Sequence, residues 1–230
     1  MGSLQSAEAG SKGKAGLSDN RSSFIIKIAI LCVVSVLGNE LLSYLITGVA
    51  KAPLYLDTVF TVAICFAAGL VPGLLTGVVF SILISPFIYI YLYHHPVEMI
   101  FASKIFSICV VVELLLVYFF HKKIRSREAV FLDKPSLSSF IGLAPLLLIL
   151  VAIDCIAVSF SGGVIDFMLT RASAVRPYFP EDSFKLGLFR NNVPVLTAAI
   201  LSRIPINIVD RSIVIFGGFG ISLAYRKLLR

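Results

Sequence analysis

Charge is what this chain has least of. Asp, Glu, Lys and Arg make up 14% of its 230 residues, where a soluble domain uses about a quarter. With 58% hydrophobic residues and a mean hydropathy of +0.96, the shortfall excludes an ordinary soluble fold and equally a disordered or collagen-like chain. Cysteine is sparse and scattered. Cys32, Cys65, Cys109 and Cys155 fall one to a predicted helix with no C-x-x-C spacing, so they read as small packing residues and not as a disulfide framework, redox pair or metal site. His94 and His95 read as loop surface. No G-x-x-x-x-G-K-[ST] loop, G-x-S-x-G elbow or H-E-x-x-H pair is present, which excludes nucleotide hydrolysis by that route and leaves no catalytic set to name. The chain therefore reads as a non-enzyme without cofactor or metal. Its net charge of +7 would suit nucleic acid, but the basic residues sit between apolar runs and form no aromatic-basic face.

What is abundant is apolar sequence cut to membrane length. About 20 helical residues span the roughly 30 Å of hydrocarbon, and the runs predict an all-α integral membrane bundle of six transmembrane helices over 24–230. The first crossing covers 24–50. The next run, 58–93, has no charged residue and is too long for one crossing; Gly69, Pro72 and Gly73 break it at a tight turn into the second and third. The fourth covers 96–120, the fifth 137–160, and the sixth lies within 201–225. Residues 1–23 are polar and predict a disordered cytoplasmic tail. Its first residues fit the loose myristoylation pattern, which short stretches match by chance, and the apolar run behind it is too long for a cleaved signal peptide. Eleven Lys and Arg fall in the tail, the 122–135 loop and the C-terminal end, against five on the other side. That bias places both termini in the cytoplasm, in a multi-pass protein of a bacterial cytoplasmic membrane.

A charge near the centre of a membrane helix costs about 2.5 to 3.5 kcal/mol on insertion scales, so each one needs a reason. Counted along the predicted crossings, nearly all lie in the outer half, with Glu113 alone in the inner half. Glu40, Ser43, Tyr44 and Thr47 recur at i, i+3, i+4 and i+7, and Arg203, Asn207, Asp210 and Arg211 form a second such stripe. Two polar stripes at matching depth predict a pocket open to the outside, lined by Asn39, Glu40, Tyr44, Asp57, Asp154, Arg203, Asn207, Asp210 and Arg211. The competing reading is structural ion pairs, or side chains snorkelling to the headgroups. Arg203 and Arg211 would suit a carboxylate or phosphate; Glu40, Asp57, Asp154 and Asp210 would suit an amine or a metal ion.

The stretch Tyr55-Leu56-Asp57-Thr58 through Gly69-x-x-Pro72-Gly73-x-x-x-Gly77 resembles the second and third helices of the substrate-binding S components of energy-coupling factor (ECF) transporters. Ile204-Pro205-Ile206-Asn207-Ile208-Val209-Asp210-Arg211, followed by a glycine-containing apolar run and a basic tail, is similar to the way those chains end. The resemblance implies capture of a vitamin, cofactor precursor or similar micronutrient in the outer half of a six-helix bundle. It further implies docking on a transmembrane coupling subunit driven by two ATP-binding cassette ATPases. Many S components carry Ala-x-x-x-Ala on the first helix for that docking. Here Val33 follows Ala29, and Cys32 and Ser35 are the small residues that would stand in. The long 161–193 segment reads as a lid. Two other functions fit the composition: a transmembrane sensor working through a separate partner, and a membrane-embedded enzyme acting on lipid, which lacks a cytoplasmic catalytic set.

Overall fold

A computed structural model describes residues 5–79, 82, 104–172 and 181–229, with the backbone alone over 5–21. Every element among them is helical: α1 (Gln5–Ser43), continued by a π-helical turn (Tyr44–Val49), α2 (Val59–Ala68), α3 (Leu70–Val78), α4 (Ser107–Asp133), α5 (Leu137–Arg171), α6 (Asp182–Arg190), α7 (Val195–Leu201) and α8 (Ile204–Leu229). Three stretches, Ser22–Val49, Leu137–Arg171 and Val195–Leu229, are long and apolar enough to cross a membrane. The molecule is turned inside out relative to a soluble protein. Phe24, Ile30, Leu37, Leu148 and Ile156 are exposed, while Glu113, Asp154 and Asp210 are fully buried, the distribution that hydrocarbon solvent selects.

Gly69 makes the tight turn expected of it. Its φ of 98° is open to glycine and strained for other residues, and α2 and α3 fold back on each other across it. A Cβ on Gly73 would stand 3.0 Å from Cys65 Cβ, and one on Gly77 would stand 3.3 Å from Thr61 Cγ2. Those two pairs are equally spaced about Gly69, the signature of an antiparallel hairpin packed through small residues. The expected third crossing beyond α3 and the start of the fourth, with His94 and His95, lie outside the described residues.

Four helices close around one apolar core. Val62 and Phe66 of α2, Leu114 and Val117 of α4, Leu143 and Leu147 of α5, and Val214 and Phe219 of α8 interdigitate there. Gly218 lets α8 approach α2 closely, since a Cβ would meet Val62 Cγ1 at 2.8 Å. Ser136 starts α5 by accepting the Ser139 N–H at 3.2 Å, while Ser139 Oγ accepts the Ser136 N–H at 3.1 Å, a reciprocal cap.

Several boundaries differ from those the apolar runs predict. Helix α1 starts at Gln5, so the backbone of the polar tail, expected without structure, prolongs a helix that the membrane run has already nucleated. Helix α4 runs on to Asp133, which makes the 122–135 "loop" mostly helix. Helix α5 continues past residue 160 to Arg171, about 52 Å at 1.5 Å per residue. The expected 161–193 lid is thus the end of α5 followed by α6, with 173–180 outside the described residues.

Candidate functional site

The polar stripe on α8 has a matching stripe on α5. Asn207 Nδ2 donates to Ser159 Oγ at 2.9 Å, and one turn beyond each residue stand Arg211 and Asp154–Cys155. One turn the other way, Arg203 lies over Gly162 and the α7 backbone over Gly163. A Cβ on Gly163 would come within 2.7 Å of Ile200 Cα, and one on Gly162 within 2.9 Å of Arg203 Nη1. Antiparallel helices with residues four apart in register explain the ladder.

Arg211 is the hub. Its guanidinium bonds Asp210 through Nε, at 3.1 Å, and Nη2; through Nη1 it bonds Glu113 Oε1 at 2.5 Å and reaches Thr58 Oγ1 at 3.4 Å. Asp210 turns its other oxygen to the loop before α2, accepting the N–H groups of Tyr55 at 3.0 Å and Leu56 at 2.9 Å. Leu56 has φ 45°, and this bend aims the two consecutive N–H groups at one carboxylate oxygen. The charges of Glu113, Asp210, Asp154 and Asp57 all bear on the guanidinium. Asp154 is 0% exposed and no N–H or hydroxyl donor reaches its two oxygens; the carboxyl beside it is that of Glu113, whose Oε2 likewise meets no such donor.

A second tier covers this one. Glu181 pairs with Arg203 and accepts from the Tyr55 hydroxyl, and Arg203 lies over the Phe106 ring at 5.0 Å. Burial, and after it the Glu181 charge, hold the Tyr55 hydroxyl well above its usual range, so it stays a donor. Lys185 of α6 bonds Asp166 of α5 at 2.7 Å and Asp182 at 3.0 Å. Through Glu181 and Lys185, the start of α6 is fastened by buried ion pairs over this end of the bundle.

The structure therefore brings Asp57, Asp154, Asp210 and Arg211 together, sets Arg203 above them, and places Asn207 between the tiers. Glu40 faces Asp57, with a buried Oε1 that accepts no bond. Asn39 does something else. Its Nδ2 donates to Thr61 Oγ1 at 2.7 Å and its Oδ1 accepts the Phe60 N–H at 2.9 Å, so it caps the start of α2 from a neighbouring helix. Tyr44 is 50% exposed and stands apart. The periodicity assumed an α-helix, but the π-helical turn begins at Tyr44 and its i→i+5 pattern rotates Tyr44 and Thr47 away from Glu40.

Glu113 departs furthest from the sequence reading. Counting from residue 96 put it in the inner half, whereas it bonds Arg211 in the same layer as Thr58 and Asp210. Helix α4 runs from Ser107 to Asp133, so Glu113 stands near its start and not late in it, as counting from residue 96 implies. Glu181, Tyr55, Ser159 and Lys185 were also missed as partners. Ser159, four residues from Cys155 and Gly163, was the legible one.

A separate ionic layer joins the ends of α4 and α8. Arg226 Nη1 pairs with Glu128 Oε1 at 2.5 Å, Arg226 Nη2 donates to the Phe66 carbonyl at 2.6 Å, and His121 Nε2 donates to Glu128 Oε2 at 2.8 Å. Burial alone would raise the Glu128 carboxyl, but the His121 hydrogen bond and the Arg226 charge outweigh it and hold the group below its ordinary range. On α1, Cys32 approaches the Pro72 carbonyl and Ser35 bonds the Tyr225 hydroxyl at 2.9 Å. Ser35 is buried and Cys32 half-buried, while Val33 and Leu37 are exposed. Comparison with protein-family models, with curated proteins and with solved structures finds no match to this chain.

Proposed function

We propose that this chain is the solute-binding S component of an ECF-type transporter. In this reading it crosses a bacterial cytoplasmic membrane six times with both termini inside and captures a micronutrient-sized solute in its outer half. It hands that solute to a coupling subunit driven by two ATP-binding cassette ATPases. One observation carries the proposal: a buried layer in which Arg211 is paired with Glu113 and Asp210, the charges of Asp154 and Asp57 bear on it, and no N–H or hydroxyl donor reaches either Asp154 oxygen. Buried ion pairs seldom add stability over apolar packing, and unbonded buried carboxyls subtract from it, so a layer of this kind is accounted for by a ligand. The two segments that carry the ECF resemblance also meet here, Tyr55 and Leu56 on Asp210, and Thr58 on Arg211.

The sensor alternative draws on the second ionic layer, which joins the same two helices on the cytoplasmic side. Reconstitution separates the two. The protein extracted in mild detergent should release a defined small molecule on denaturation. Vesicles holding this chain alone should not accumulate that molecule, and vesicles with coupling subunit, ATPases and ATP should. Uptake driven by an ion gradient without ATPases would overturn the proposal in favour of a secondary transporter.

A further inference from the structure

We propose that the solute carries a positive charge, as an ammonium or guanidinium group, and that Asp154 with Glu113 and Asp57 forms the subsite that holds it. This rests on the solute-binding reading above. The donors and acceptors around Arg211 do not balance. The guanidinium is committed to Asp210, Glu113 and Thr58. The second oxygen of Asp210 is filled by two backbone N–H groups. What remains unbonded among the described residues of this layer is acceptor only: both oxygens of Asp154, Oε2 of Glu113 and Oε1 of Glu40, which faces Asp57. No buried side-chain donor among them is left over to meet those oxygens.

A ligand that completes such a set must bring N–H donors and positive charge. An anionic group would meet four carboxyls around a guanidinium that already has its partners. Among the described residues no three His, Cys, Asp or Glu side chains converge tightly enough to hold a metal ion, which favours the longer, directional contacts of an ammonium or guanidinium. A proton shared between Asp154 and Glu113 would satisfy one Asp154 oxygen and Glu113 Oε2 together, and would leave the other Asp154 oxygen and Oε1 of Glu40 without a donor.

The test begins with the small molecule released from the detergent-extracted protein and continues with thermal shifts. The probes are benzylamine, 2-phenylethylamine, putrescine and the released compound, each set against the counterpart in which every amine is acetylated. The released compound should carry a cationic nitrogen, and amines should raise the melting temperature where their acetylated forms do not. Asp154→Asn should weaken binding of the released compound roughly ten- to hundredfold, the cost of a lost charged hydrogen bond. A neutral or anionic released compound, acetylated forms that bind as well as amines, or unchanged affinity in a folded Asp154→Asn protein would overturn the cationic subsite and leave solute capture standing. No released compound together with no stabilisation by any probe would overturn both. If Asp154→Asn does not fold, the amine-against-acetyl comparison on the unaltered protein decides.

Discussion

Asn207 shows how one side chain distinguishes a brace from a pocket wall. Its amide donates to Ser159 Oγ in the buried seam of α5 and α8, so Asn207→Ala should cost about 1 to 3 kcal/mol of stability by leaving a buried polar partner unmatched. Ser159→Ala should lower the melting temperature similarly, and the double variant should lose less than the two together because they share one interaction. A melting temperature unaltered in Asn207→Ala while solute affinity falls would return this residue to the pocket wall. At this scale the sequence was informative where polarity and period coincided: Asn207, Asp210 and Arg211 share a face because α8 is an unbroken helix from Ile204, and Arg203 sits in the turn that starts it, its carbonyl accepting the Asn207 N–H. It misled at Tyr44, where a π-helical turn changes the period without changing the composition. It was silent on Glu181, whose partner Arg203 is distant in sequence.

Among the helices, contact is decided by glycine. Gly163 admits the α7 backbone, and a side chain there would collide with Ile200 Cα and N, atoms that cannot swing aside. Gly163→Val should therefore destabilise the protein by at least about 2 kcal/mol and detach α7, with Arg203 beside it. Limited proteolysis near residue 190, faster in the variant than in wild type, would reveal this. Gly187→Val, where a Cβ meets nothing within 4 Å, is the matched control. The α4 to α8 junction at Glu128 and Arg226 should respond to acid. Since the folded protein holds the Glu128 carboxyl below its ordinary range, its contribution to stability is complete above the unfolded value of about 4.3 and is lost as pH falls through the lower folded value. Melting curves of wild type and Glu128→Gln should then converge as pH is lowered past about 4; a constant gap between them would show that the pairing adds nothing. The hairpin about Gly69 was legible because Gly and Pro punctuate an otherwise uncharged run. The extension of α4 to Asp133 was not, since helix propensity continues through Lys122, Arg125 and Glu128 after the membrane run has ended.

For the molecule as a whole, the charge bias makes a statement about sides. In a cysteine-free background, Ser126→Cys on the exposed cytoplasmic end of α4 should resist an impermeant thiol reagent on intact cells, and Gly187→Cys on α6 should react. The opposite pattern would invert the topology and with it the direction from which a solute arrives. The spacing of the two ionic layers also has a mechanical consequence. Fifteen residues separate Glu113 from Glu128 on α4, and fifteen separate Arg211 from Arg226 on α8, about 22 Å on each helix. Two helices bolted together at both ends with equal intervals cannot slide past one another by a turn without shearing both fastenings at once. Relative motion of α4 and α8 that keeps both ion pairs intact is thereby confined to tilting the two helices together, and a piston stroke of one along the other is excluded while both pairs hold.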